Sequence, residues 1–398
     1  KEIRGGKCRP KHNIRGGGNM IYLDNSATTK PDSAVIESFQ KTSEKFFANP
    51  SSIHQLGGTT EKLLQKAKEQ AASILQVEAN EIIFTSGGTE GNNIAIKGIA
   101  LEHQNRGKHI ITTAIEHPSV EEACQSLEKL GFEITMLPGD EKGIINLEDL
   151  KRAIREDTIL VSIMHVNNEI GSIQPIEEIG KILRQYPKLF FHVDAVQSLG
   201  KVPVNIYESG IDLCTFSGHK IHGLKGTGIL FVNKTTKLFP LFHGGGQENG
   251  LRSGTENVAG AVSMVKALRL IHEKEKQYAN HLKEMRDYLW KELKQFDDVI
   301  INSPEDGAPH ILNISVPGLK PEVMIHMLGE EGIYISTKSA CSSKQKDESK
   351  ILVACGFSRD VAISGLRISL SYDNTMEEMK RFIDVFSRSL NQFKQVLR

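Results

Sequence analysis

Apolar residues recur in two rhythms along this chain. Residues 61–76, EKLLQKAKEQAASILQ, place them at helical spacing among charged and amide side chains. Short apolar runs then follow: EIIFTS (81–86), HIITTAI (109–115), FEITML (132–137), TILVSIMHV (158–166), LFFHV (189–193), DLCTF (212–216) and GILFV (228–232). Each has the length and β-branched or aromatic content of a strand, and helical patterns or loops separate most of them. The alternation predicts an α/β chain with a mainly parallel, doubly wound sheet.

After HGGGQENGLRSGTEN (243–257) the texture changes. A helical stretch rich in Lys, Glu and Leu covers 258–296. A second set follows: HILNISV (310–316), a helix near 321–330, GIYIS (332–336), GLRISLS (365–371) and a terminal helix from about 375. The division expected is a large domain over 21–257 and a smaller α+β domain over 258–398, with segment 21–35 a candidate to pack on the smaller one. No internal repeat and no low-complexity tract interrupts this plan.

Composition narrows the class. The 398 residues, 39% hydrophobic and 25% charged, are enough for two domains with a substantial core. Lys plus Arg and Asp plus Glu balance at 49 each. Residues 1–19 hold six Lys/Arg and one Glu, so the remainder is mildly acidic, which argues against an extended nucleic-acid surface. That basic stretch has no apolar run of a secretory signal and reads as translated upstream sequence or a vector scar ahead of Met20. No apolar run reaches the roughly 18 residues of a membrane span. The five cysteines (Cys8, Cys124, Cys214, Cys341, Cys355) show no CxxC spacing and suit a reducing, cytoplasmic setting.

Ligands of open parallel sheets sit beyond the carboxyl ends of the strands, and those ends can be read directly. IIF runs into TSGGTEGNN, HIITTAI into EHPS, TILVSIMHV into NNE, LFFHV into DAVQ and DLCTF into SGHK. One rim thus receives Gly88 and Thr89, His117, Asn167 and Asn168, Asp194 and Gln197, and Ser217, His219 and Lys220. Any one of these alone is more often a turn or cap residue; five strand ends supplying them together are not explained that way. SGGTE between a strand and a helix start favours an anion. GxxxxGK[ST], GxGxxG and HExxH are all absent, which removes the main support for ATP, NAD or a zinc-protease site. A carboxylate at Asp194 and an amine at Lys220, 26 residues later, complete the donor set that pyridoxal phosphate requires.

Nine stretches in order, YLDNSATT (22–29), NPSSIHQLG (49–57), FTSGGTEGNN (84–93), EHPSV (116–120), HVNNEIG (165–171), HVDAVQSLGK (192–201), SGHKIHG (217–223), RSGTENV (252–258) and SACSS (339–343), resemble cysteine desulfurases of the NifS/IscS type. These are class-V aminotransferase-like enzymes of pyridoxal phosphate fold type I. The resemblance implies that Lys220 holds the cofactor's aldehyde and His117 stacks on its ring and assists proton transfer. Asp194 would pair with the ring nitrogen, Gln197 would bond the ring oxygen, and Gly88, Thr89, Ser217 and His219 would bind the phosphate. Thr255 would reach the phosphate of a second copy, implying a homodimer with shared sites. Asn168 and Arg367 would bind cofactor or the substrate, L-cysteine, with Arg367 suited to a carboxylate. Cys341 would attack the substrate sulfur as a thiolate, with Lys338 and Lys344 close in sequence.

Two departures accompany the resemblance. Gly88 stands where the family usually has Ala, and the residues after Cys341, SKQKDESK, are charged where the long-loop group is apolar and proline-bearing. That loop leaves the sulfur acceptor open among an iron–sulfur scaffold, a tRNA-thiolation enzyme and another carrier. A selenocysteine lyase or a class-V aminotransferase on the same scaffold is the rival reading, and a transaminase has no need of Cys341. A non-catalytic sulfur relay conflicts with the intact rim set, and a lone Cys341 makes a poor metal site.

Overall fold

The computed structural model describes residues 20–337, apart from 279, and 348–397. The main sheet has seven strands: β1 (Ile82–Thr85), β2 (His109–Thr113), β3 (Glu133–Leu137), β4 (Thr158–Met164), β5 (Phe190–Asp194), β6 (Leu213–Ser217) and β7 (Gly228–Val232). Their order is β1-β7-β6-β5-β4-β2-β3. The pairs from β6 across to β3 are parallel, whereas β7 runs antiparallel to both β6 and β1. The sheet is mainly parallel, as the alternation of runs predicts, and each run yields a strand.

Burial explains why these strands read as unbroken apolar runs. Both faces are covered, so alternate residues enter different cores. Leu160, Leu213 and Leu230 pack on one side, beneath α1 (Gly88–His103) and α2 (Pro118–Glu128). Val161, Phe216 and Phe231 pack on the other, against α3 (Val258–Gln277).

The smaller unit carries an antiparallel sheet, β8 (Ile300–Ile301), β9 (Ile311–Ser315) and β10 (Gly365–Ser369), ordered β10-β9-β8. Helices α4 (His281–Leu293), α5 (Pro321–Glu330) and α6 (Met376–Leu397) accompany it. Leu289, Leu312, Ile368, Phe382 and Phe386 lie in its core. Ile21 and Leu23 join that core, and Ile21–Tyr22 pairs in parallel with Ile333–Tyr334. Val35, by contrast, belongs to the large core.

Two readings shift at this level. The helical stretch 258–296 is two helices, and the first, α3, buries Met264, Val265 and Leu268 in the large core. We therefore place the division of the two units after α3 instead of at 257. The run GIYIS is a strand only over Ile333–Tyr334, with a single further bridge from Ser336 to Arg367.

Buried histidines give the fold a pH signature. His192 is fully buried on β5, between Ser162 Oγ at 2.8 Å and Thr215 Oγ1 at 3.0 Å, and burial lowers its pKa to about 3. The unfolded chain binds a proton near pH 6.5, so this group's contribution is lost as pH falls from there towards 3. At pH 5 the loss is about 2 kcal/mol. Urea midpoints are expected to fall between pH 7 and pH 5, and His192→Gln is expected to flatten that decline. An unchanged slope in the variant would remove His192 as its source.

Candidate active site

The rim residues converge on one cavity of about 160 Å³ at the carboxyl ends of β4, β5 and β6. β5 ends on Asp194, whose side chain is 5% exposed. Its Oδ1 accepts from the backbone N–H of Val196 at 3.0 Å, and its Oδ2 from Asn92 Nδ2 at 2.8 Å. Gln197, one turn on, donates from Nε2 to Ser26 O at 3.0 Å. β6 ends on Ser217 and runs into a short 3-10 turn, Gly218–Lys220. The turn aims Lys220 Nζ at the carbonyls of Ser26 and of Ala27, the latter at 2.8 Å. From behind, Lys201 Nζ donates to the Lys220 carbonyl at 2.9 Å.

The loop after β4 separates its two asparagines. Asn167 is structural: its Nδ2 donates to Ile115 O at 2.9 Å, and its Oδ1 accepts from the N–H groups of Glu169 and Ile170. Asn168 lines the cavity, and its Oδ1 is buried with no partner among the described residues. Its carbonyl accepts from Arg367 Nη1 at 2.9 Å, while Arg367 Nη2 donates to Asp24 Oδ1 at 2.9 Å. Arg367 is 1% exposed, and its Nε has no partner among the described residues. A buried guanidinium with an open N–H is costly unless an anion completes it.

The start of α1 forms another wall of the cavity, with Gly88 and Thr89. Gly87 has φ of 146°, a conformation that favours glycine, and as N-cap it offers no side chain to the first N–H groups. A Cβ built at Gly88 would come 3.0 Å from Val196 Cγ2, so the missing methyl has a neighbour in its place. Ser217 Oγ is buried and without a partner among the described residues. His219 Nδ1 lies 3.1 Å from Thr28 Oγ1. Burial, then the charges of Lys220, Lys225 and Lys201, push His219 down to about 4, so its ring is neutral at pH 7 inside a cationic surround.

Pyridoxal phosphate fits these residues. The helix start, Ser217 and His219 offer donors for a phosphate. Asp194 keeps lone pairs for a ring N–H, and Lys220 places an amine on the same cavity. A larger cavity of about 340 Å³, walled by Leu75, Val202, Phe216 and Ile271, also carries His272, Glu275 and Lys276 but none of the strand-end residues Asp194, Ser217 and Lys220 or the α1 start. Chemistry, not volume, selects the smaller one.

Of the residues named from the sequence, Asn167, Thr255 and Cys341 are not among those that line this cavity. Thr255 is exposed and does not line the cavity within this chain. Cys341, like Lys338 and Lys344, lies outside the described residues. The ends of its segment are nonetheless placed. Ser336 exchanges backbone hydrogen bonds with Arg367 at 3.1 and 2.7 Å. Ser349 Oγ donates to Glu169 Oε2 at 2.6 Å, beside Asn168. Ser336 and Ser349, described residues on either side of that stretch, are thus bonded to Arg367, which lines the cavity, and to Glu169, the chain neighbour of Asn168.

Several functional positions carry no strong sequence signal. Asn92 and Ser119 look like ordinary helix residues until the fold sets them beside Asp194 and His117. Glu116 is buried, accepting from Thr113 Oγ1 at 2.8 Å and Met164 N at 2.9 Å, and burial raises its pKa to about 8. It ties β2 to β4 directly beneath His117.

Comparison with known proteins bears on the family and the fold. The aminotransferase class-V family profile matches residues 21–382. A "NifS/IcsS protein homolog" of Lactobacillus delbrueckii subsp. bulgaricus is 47% identical over 95% of this chain and 99% of its own length. "Cysteine desulfurase IscS" of Dictyoglomus turgidum is 45% identical over 94% of this chain and 96% of its own. A solved structure titled "NIFS-LIKE PROTEIN" superposes with a TM-score of 0.88 at 37% identity, covering 94% of this chain and 100% of that one.

Proposed function

This chain belongs to the class-V aminotransferase family, where it is a cysteine desulfurase, and from that premise we propose how its own residues divide the work. Pyridoxal phosphate, when bound, supplies an aldehyde that receives an amine and a ring that draws electrons from the substrate carbons. Lys220 holds the amine at that aldehyde, steered by the carbonyls of Ser26 and Ala27. Asp194 keeps the ring nitrogen protonated, Gln197 bonds the ring oxygen, and Gly88, Thr89, Ser217 and His219 hold the phosphate. Arg367 offers Nε–H and its remaining Nη protons to the carboxylate of L-cysteine, with Asn168 beside it.

The chemical step falls to Cys341. Its thiolate attacks the substrate sulfur; an S–S bond forms and the C–S bond breaks. The C–S electron pair stays on the substrate's β-carbon, which takes up a proton to become L-alanine, and Cys341 is left as a persulfide. The observation that carries this reading is the bonding of Ser336 and Ser349, on either side of the Cys341 stretch, to Arg367 and to Glu169, the chain neighbour of Asn168. A transaminase has no need of Cys341.

The acceptor of the sulfur is a protein, an iron–sulfur scaffold or a tRNA-thiolation enzyme, and the charges after Cys341 tune that choice. Two copies share their sites, with Thr255 reaching the neighbour's phosphate. Phe47, Ile53 and Leu56, exposed to 75, 107 and 56%, are apolar side chains of one stretch of sequence open to such a contact. Among the described residues no helix is long and apolar enough to cross a membrane; thiolate chemistry of this kind suits the cytoplasm.

The test is a product balance. The chain loaded with pyridoxal phosphate and supplied with L-cysteine and a thiol reductant is expected to give alanine and sulfide in equal amounts. An oxoacid in place of alanine would assign a transaminase. Turnover of selenocysteine but not cysteine would assign a lyase for selenium.

A further inference from the structure

His117 is the N-cap of α2, and its own Nδ1 does the capping, accepting the backbone N–H of Ser119 at 3.1 Å. The same Nδ1 lies 2.8 Å from Ser119 Oγ. Ser119 Oγ lies 2.9 Å from Asn92 Nδ2, which also lies 2.8 Å from Asp194 Oδ2.

The direction of each bond in this chain follows from counting protons. A carboxylate only accepts, so the Asn92 atom facing Asp194 is the amide nitrogen. That nitrogen has two protons: one goes to Asp194 and the other to Ser119 Oγ. The Ser119 hydroxyl keeps its own proton to give, and Nδ1 is the acceptor beside it. Nδ1 thus receives two donors, one of them a backbone N–H that cannot reverse. A proton placed on Nδ1 would point at that N–H, at the positive end of α2.

We propose that Asn92 and Ser119 are positioning residues that hold His117 as its Nε2–H tautomer, so that the neutral ring gives a hydrogen bond at its other nitrogen and does not accept one. This rests on the active-site role proposed above for His117 and says which way its bond runs. Any further hydrogen bond of the ring is made through Nε2–H, and taking up a proton there requires first moving one to Nδ1, against two donors. The ring is held neutral by the same surroundings: burial acts first to lower its pKa and the Lys220 charge adds to that, while Asp194 and Glu122 oppose. Asn92 also links the ring's tautomer to the carboxylate at Asp194, so the two sides of the cavity are set together.

Imidazole nitrogen NMR on ¹⁵N-histidine protein tests this, with and without pyridoxal phosphate, the His117 signals being identified by their loss in His117→Gln. The wild type is expected to show a protonated Nε2 and an unprotonated Nδ1 at pH 7.5. Ser119→Ala removes one of the two Nδ1 donors. It is expected to raise the NMR-measured pKa of His117 by about one unit and lower kcat about tenfold, the effect of one hydrogen bond. Ser119→Thr, which keeps the hydroxyl, is expected to restore both. A protonated Nδ1 in the wild type, or an unchanged titration in Ser119→Ala, would overturn the proposal. Wild-type turnover in His117→Gln would instead remove the role beneath it, whatever the tautomer.

Discussion

Lys220→Ala is expected to lose cysteine turnover by about 10⁴-fold, the upper end of what one positioned proton-transferring group contributes. The same variant should lose the adduct that borohydride fixes between a lysine and pyridoxal phosphate. The geometry behind this is specific. Lys220 leaves the end of β6 on a short turn, and two backbone carbonyls, those of Ser26 and Ala27, hold its Nζ on the cavity that Asp194 and His117 also line. Alanine leaves those carbonyls and the phosphate donors in place but removes the amine, so weak cofactor binding should remain while trapping fails. The lysine to check as a substitute is Lys201. Burial lowers its amine to about 8, which makes a better nucleophile, yet its Nζ is spent on the Lys220 carbonyl. Peptide mapping that finds the reduced adduct on Lys201, or an unchanged yield in Lys220→Ala, would refute the assignment.

Cys341→Ala carries the second large effect. The variant is expected to keep the cofactor's absorbance and its change on adding cysteine, because no other residue named in the site is altered. Sulfide release should fall by about 10³-fold or more, as when an enzyme loses its attacking nucleophile. The described cysteines cannot substitute: Cys124, Cys214 and Cys355 are buried, and burial raises each thiol well above its usual range. Sulfide release at the wild-type rate would mean that sulfur leaves without Cys341, and the nucleophile would have to be sought elsewhere.

Much of the site is legible in the sequence because strand ends are local events. A run such as LFFHV stops where polar residues begin, and in a parallel sheet every such stop lies on one edge. Asp194, Ser217 and Lys220 could therefore be assigned to one rim before any contact was known. Asn167 and Asn168 show the limit of this reasoning. Adjacent and chemically identical, they part company because one turns inward to brace Ile115 and the other faces the cavity. Arg367 lies 147 residues past Lys220, on a strand of the other unit, and only the resemblance to the family pointed to it.

By itself the sequence determined the fold class, the rim and the family, since apolar periodicity, strand-end chemistry and ordered motifs are all written locally. Only the tertiary structure decided how the two cores divide, because α3 carries a sequence texture like its successor yet buries its apolar face against the large sheet. It also decided which groups pair: Arg367 with Asp24 across 343 residues, and Asn92 with Asp194 across 102. Hydrogen bonds of that span depend on where distant backbones meet, and burial then makes each unmatched donor or acceptor costly. His117 shows both levels at once. Its presence at the rim was readable from EHPS, but the nitrogen that carries its proton was set by α2, Ser119 and Asn92.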